Sequence, residues 1–294
     1  MTDLPRIRPH PIPEIHPVPE YLADGPLARR YDAMKTAFQV PWMGVVTMAF
    51  AHYRHFYDTL WDGLMPLCTS RAFVDACREL RAFTEAGAAL LAPPPIAARL
   101  AAIGYAPREL DAIRAMVDVF SHGNFPYLLL ATLARRLLEG AEMSDAAAVE
   151  AFTGRHAPDL SVPFVLMEAH HADPATRAVY ADVKASLRLP FVNTDYRAFA
   201  RWPSYFALAW SDLRGQLATA PYEALVGSVH AHASALAASL PNPGGLTSAA
   251  LRASAAHDAE PAEVRDVVRL FQWLLPGLVS NVAWFRAQLQ APAT

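Results

Sequence analysis

The chain has 294 residues, 53% of them hydrophobic and only 18% charged, which supplies one large core or two medium ones and excludes a disordered polypeptide. A formal net charge of −3 and an isoelectric point near 6.4 leave no basic field for a nucleic acid backbone or an anionic membrane surface, so the substrate is expected to be small or neutral overall. Cys68 and Cys77, the only thiols, are spaced too widely for a CxxC redox pair or a zinc knuckle, which argues against a disulfide framework and points to a reducing cytoplasm.

Residues 1–26 read as an extended arm. Pro alternates with Ile, Val, Arg and His from Met1 to Glu20, without the apolar run of a secretory signal. Residues 27–140 form a first helical half, opening with Leu27, Tyr31, Met34 and Phe38 at the spacing of one helix face. Val40-Pro41-Trp42 begins another helix, and Pro93-Pro94-Pro95 breaks the half. A later helix carries Leu110, Ile113, Val117 and Phe120. Gly123 is expected to close that helix and Asn124 to cap the next, with Pro126 in its first turn.

Residues 141–174 read as a linker, in which only Leu160 to Met167 is at all strand-like. Residues 175–294 form the second half, where Thr176, Tyr180, Val183 and Leu187 repeat the opening pattern. The segment Leu189 to Asp195 is expected to start a helix, with Asn193 or Thr194 as cap and Asp195 in the first turn, where the helix dipole welcomes an anion. Pro241 to Gly245 breaks this half, and Val264, Val267, Phe271 and Leu274 open its last helix. The uncharged run Leu270 to Phe285 is shorter than the roughly 20 residues that span a bilayer and reads as a buried core helix. The expected fold is all-α.

Tyr31 to Leu64 recurs, without gaps, as Tyr180 to Leu213: Lys35 matches Lys184, Pro41 matches Pro190, and Trp61 matches Trp210. A repeat that occurs only twice is not a solenoid, so it predicts two homologous helical halves about a pseudo-twofold axis with a single active site between them. Function is then expected where the copies differ. Asn193, Thr194 and Asp195 face Gly44, Val45 and Val46, and Asn124 aligns with Leu278, so each half contributes a polar group that its twin lacks. The pairs His170-His171, His52 and His55, and His230 and His232 make no HExxH or comparable metal-ligand pattern, and neither a GxSxG elbow nor a glycine-rich phosphate loop is present.

The segments Val40-Pro41-Trp42, Gly123-Asn124-x-x-Tyr127 and Asp195-x-x-Ala198-x-x-x-Trp202-Pro203 together resemble the group I 2-haloacid dehalogenases, which are all-helical, inverting and cofactor-free. The resemblance runs from about Leu27 to Phe285. It implies that Asp195 activates water with the help of Asn124, that Trp42, Val45, Tyr127 and Thr194 line the pocket, and that neither a metal nor an organic cofactor takes part. It also implies a homodimer. Some members carry Thr and Glu where this chain has Ser70 and Val74. Asn193 resembles the residue of the D-specific members, which implies action on short-chain (R)-2-haloalkanoic acids. The helical repeat also resembles the AhpD-like superfamily, but Cys68 and Cys77 cannot supply its CxxC pair. A non-catalytic protein that binds a small ligand on that fold is the alternative.

Overall fold

The computed structural model describes residues 4–290, and among these every regular element is helical, as the sequence predicts. The short helices are α2 (Val45–Phe50), α5 (Ala97–Ala102) and α8 (Thr194–Phe199). Those of middle length are α1 (Gly25–Phe38), α3 (Arg54–Cys68), α7 (Pro174–Leu187), α9 (Pro203–Arg214) and α11 (Ser248–Asp258). The long ones are α4 (Arg71–Leu90), α6 (Pro107–Leu138), α10 (Ala220–Ser239) and α12 (Pro261–Gln290). The strand-like stretch Leu160 to Met167 is irregular, and one isolated bridge joins Ser70 to Ala151. No described helix is long and apolar enough to cross a membrane.

Local chemistry explains where the helices begin and end. Asp24 starts α1 by accepting the Leu27 amide at 2.9 Å, with Pro26 in the first turn, and Gln39 ends it in the left-handed region at φ 51°. Asp173, Pro174 and Arg188 do the same for α7, with Asp173 accepting the Thr176 amide at 2.6 Å and Arg188 at φ 55°. Each helix buries the face carrying its tyrosine. Tyr31 donates to the Val18 carbonyl at 2.8 Å, and the Val18 amide donates to the Met48 carbonyl at 3.0 Å. Correspondingly, Tyr180 donates to the Met167 carbonyl at 2.6 Å, and the Met167 amide donates to the Arg197 carbonyl at 2.9 Å.

The chain divides into two compact units. The first takes residues up to 81 together with 123–157 and 227–277, and the second takes 82–122, 158–226 and the residues from 278 on. Four of the five divisions fall inside α4, α6, α10 and α12 and the fifth in the irregular chain after α6, so each unit combines segments from both halves of the sequence. In the first unit α3 packs against α1, α2 and α11; in the second, α9 packs against α7 and α8.

One expected boundary is absent. Gly123 closes no helix and Asn124 caps none, because α6 continues through both as one helix of 32 residues with Pro126 inside it. Proline removes an amide donor and costs about 3 kcal/mol inside a helix. That cost is offset because every residue from Ser121 to Arg135 is buried, and each large apolar side chain there contributes about 1.5–3 kcal/mol. The uncharged run Leu270 to Phe285 lies wholly within α12, the buried helix it was expected to form, and Pro276 is tolerated inside it in the same way.

The arm is irregular from Leu4 to Pro19 and ends in a 3-10 turn at Glu20–Leu22; its first three residues lie outside the described range. A buried polar chain holds it. Arg135 donates to the Pro5 carbonyl at 3.0 Å and to Gln272 Oε1 at 2.5 Å, and Gln272 Nε2 meets His230 Nδ1 at 2.9 Å. His230 Nε2 lies 2.5 Å from the Leu4 carbonyl, which can only accept, so the proton sits on Nε2 and Nδ1 accepts from Gln272.

Candidate active site

Four of the expected site residues lie in the first unit. Trp42 belongs to the turn between α1 and α2, Val45 is the first residue of α2, and Asn124 and Tyr127 stand three apart in α6 and therefore on one helix face. Trp42, Asn124 and Tyr127 are buried, and Val45 is partly so. Tyr127 donates its phenolic proton to the Trp42 carbonyl at 2.7 Å, tying the turn to α6. Burial pushes the Tyr127 phenol far up, against some opposition from the Gly44 amide, so the group stays a donor at any ordinary pH. Phe38 meets the Tyr127 ring edge-on at a centroid distance of 5.3 Å and holds it from the other side.

Two glycines permit this approach. A Cβ at Gly44 would sit 3.0 Å from the Tyr127 ring, and one at Gly123 would overlap the Trp42 indole and lie 2.7 Å from Val40 Cγ1. Glu20 secures the same turn from the arm, accepting the Met43 amide at 3.1 Å while pairing with Lys35 at 2.5 Å. Nothing in the spacing of Glu20 marked it for this role.

The other three expected residues lie in the second unit, side by side at the start of α8. Asn193, Thr194 and Asp195 are 6%, 6% and 2% exposed, so a carboxylate is buried among two polar neighbours. Asn193 holds the cap position with extended backbone, φ −62° and ψ 156°, but its side chain makes no capping hydrogen bond, contrary to expectation. Its Oδ1 is buried without a hydrogen-bond partner among the described residues. Asn124 stands inside a helix, so the helix start expected there is not built, whereas α8 does begin at Thr194 with Asp195 in its first turn.

Aromatic packing fixes the frame of α8. Tyr196 stacks on Phe206 at 5.9 Å; its hydroxyl accepts from Asn281 Nδ2 at 2.8 Å, and Asn281 Oδ1 in turn accepts from Tyr222 at 2.6 Å. Phe199 meets Phe120 and Phe285 edge-on at 5.4 and 5.7 Å. A further pair escaped the sequence reading. Arg197 lies 2.7 Å from Glu168 and donates from Nη2 to Thr194 Oγ1 at 3.3 Å. The repeat carried the signal, since Arg197 aligns with Met48 and is one more polar break in the symmetry.

The described residues hold no group of three His, Cys, Asp or Glu suited to a metal ion. Cys68 and Cys77 are free and buried, and burial pushes both thiols up, away from the reactive thiolate. A cavity of about 620 Å³ opens in the first unit between α1, α3 and residues 152–156; Val74 lines it and none of the seven expected site residues does.

No family model matches the chain. Individual relatives do. An (R)-2-haloacid dehalogenase from Rhizobium sp. (strain NHG3) is 51% identical over 247 residues, 84% of this chain and 96% of the relative. The chain belongs to the 2-haloacid dehalogenase family. A second member, the (R)-2-haloacid dehalogenase of Pseudomonas putida, is 37% identical over 287 residues, 95% of each chain. A configuration-inverting 2-haloacid dehalogenase of Pseudomonas sp. (strain 113) is 24% identical over 203 residues. Among solved structures, a D-2-haloacid dehalogenase in complex with L-LA superposes with a TM-score of 0.88 at 35% identity, covering 97% of this chain and 99% of that one. The all-α fold is therefore the fold of this family.

Proposed function

We propose that the chain is an (R)-2-haloacid dehalogenase that hydrolyses short-chain 2-haloalkanoic acids to 2-hydroxyalkanoic acids with inversion at C2. The observation that carries the reading is Asp195, a carboxylate only 2% exposed, in a polar triplet that the other copy of the repeat replaces with Gly44, Val45 and Val46. Membership of the family supports it, and so does 51% identity to an (R)-2-haloacid dehalogenase.

In this reading Asp195 accepts a proton from one water while the Asn124 side chain supplies the hydrogen bond that orients it. The water oxygen forms its bond to C2 as the carbon–halogen bond breaks on the opposite side. The electron pair leaves with the halide and the proton stays on Asp195 until it passes to solvent. In-line displacement inverts C2, and no ester forms on the protein. Trp42, Val45 and Tyr127 supply an apolar wall, and Thr194 a hydroxyl for the substrate carboxylate. Asn193 occupies one of the two mirror-related seats for the C2 substituents, which selects the (R)-acid. The chemistry asks for neither a metal nor an organic cofactor. A homodimer, a cytoplasmic location and descent of the two halves from one duplicated unit belong to the same reading.

Release of chloride from D-2-chloropropionate, with chiral analysis of the lactate formed, tests this function. L-lactate is expected. No chloride release from purified, folded protein refutes the reading.

A further inference from the structure

The two copies of the repeat share a backbone frame around α2 and α8. In the first, the Val18 amide donates to the Met48 carbonyl at 3.0 Å and Tyr31 ties down the Val18 carbonyl; in the second, the Met167 amide donates to the Arg197 carbonyl at 2.9 Å and Tyr180 ties down the Met167 carbonyl. The frame forms equally well with Met48 and Pro19 as with Arg197 and Glu168 in the corresponding positions. The charged pair is therefore an addition that the frame does not need.

What the pair reaches is Thr194. Arg197 Nη1 lies 2.7 Å from Glu168 Oε1, and Nη2 donates to Thr194 Oγ1 at 3.3 Å. Thr194 is 6% exposed and stands next to Asp195. A hydroxyl has one proton, and a guanidinium can only donate. Once Arg197 occupies a lone pair of Oγ1, the Thr194 proton must point away from Arg197 and is available as a donor. Arg197 Nε is buried with no hydrogen-bond partner among the described residues, so Glu168 engages the guanidinium from one side only.

We infer that Arg197, held by Glu168, is a positioning residue that sets the Thr194 hydroxyl as a hydrogen-bond donor to the carboxylate of the bound 2-haloacid. The inference rests on the proposed dehalogenase function and adds a part to it. The cation polarises the hydroxyl, which strengthens a bond to an anion over one to a neutral group. Because the carboxylate is the same in substrate and transition state, the effect falls on KM more than on kcat.

The test is a double-mutant cycle on chloride release from D-2-chloropropionate, using Arg197→Met, which restores the residue of the other copy, and Thr194→Val. Each single variant is expected to raise KM about tenfold with kcat within about threefold, and the double variant to be no worse than either alone. Thr194→Ser, which keeps the hydroxyl, is expected to raise KM less than Thr194→Val does and to keep the sensitivity to Arg197→Met. Additive effects on KM, or Arg197→Met acting undiminished when Thr194 is Val, overturn the inference, as does a loss confined to kcat. If Arg197→Met fails to fold, Glu168→Gln replaces it in the same cycle, with a smaller KM rise that vanishes in the Thr194→Val background; a rise that persists there overturns the inference. Wild-type protein that releases no chloride refutes the dehalogenase reading itself, whereas active wild type with an additive cycle refutes only the role of Arg197.

Discussion

The Tyr127 hydroxyl donates to the Trp42 carbonyl at 2.7 Å, which joins the turn after α1 to the middle of α6. Its one proton is committed to that carbonyl. The close approach depends on small residues on both sides, Gly44 under the tyrosine ring and Gly123 under the indole.

Gly123→Ala is therefore expected to destabilise the protein by about 1–3 kcal/mol, the usual cost of overpacking a closed site. Its Cβ would overlap the Trp42 ring and lie 2.7 Å from Val40 Cγ1, and both of those side chains are buried. Gly227→Ala is the control, since nothing lies within 4 Å of the added carbon and alanine favours the helix by up to about 1 kcal/mol. Thermal melts of the two variants are expected to move in opposite directions.

Asp195→Asn keeps the size of a buried side chain and removes the proposed base. Halide release is expected to fall about 100- to 10,000-fold while circular dichroism and the melting temperature stay close to wild type. Turnover at the wild-type rate would remove Asp195 from the mechanism.

The proposed direct attack by water also dictates where the new oxygen comes from. After a single turnover in heavy-oxygen water, mass spectrometry is expected to find the label in the 2-hydroxy acid and none in the peptide carrying Asp195. Label in the peptide would show an ester intermediate.

The handedness of the reaction is expected to depend on Asn193, whose buried Oδ1 has no partner among the described residues. A clash of about 3 kcal/mol at one substituent seat gives more than 100-fold discrimination between enantiomers. Asn193→Ala is expected to recover part of the activity on L-2-chloropropionate while leaving the D-substrate active. Equal rates on both enantiomers in the unmodified protein would refute this role and leave the dehalogenase function standing.

Periodicity and local punctuation determined most of the fold. Leu27, Tyr31, Met34 and Phe38 recur on one face, and Asp24 with Pro26 at one end and Gln39 at the other delimit α1 through interactions that span only a few residues. The same holds for α7, and the repeat exposed Asn193, Thr194 and Asp195 as the polar positions its first copy lacks. Tertiary structure decided what local signals could not. Gly123, Asn124 and Pro126 read as the end of one helix and the start of another, yet α6 runs on because burial among apolar side chains offsets the lost hydrogen bond, and that burial is created by the fold. The pairing of Arg197 with Glu168 needed the fold for the same reason. The two stand twenty-nine positions apart along the chain, and the tether between Met167 and α8 accompanies the approach of the charges to 2.7 Å.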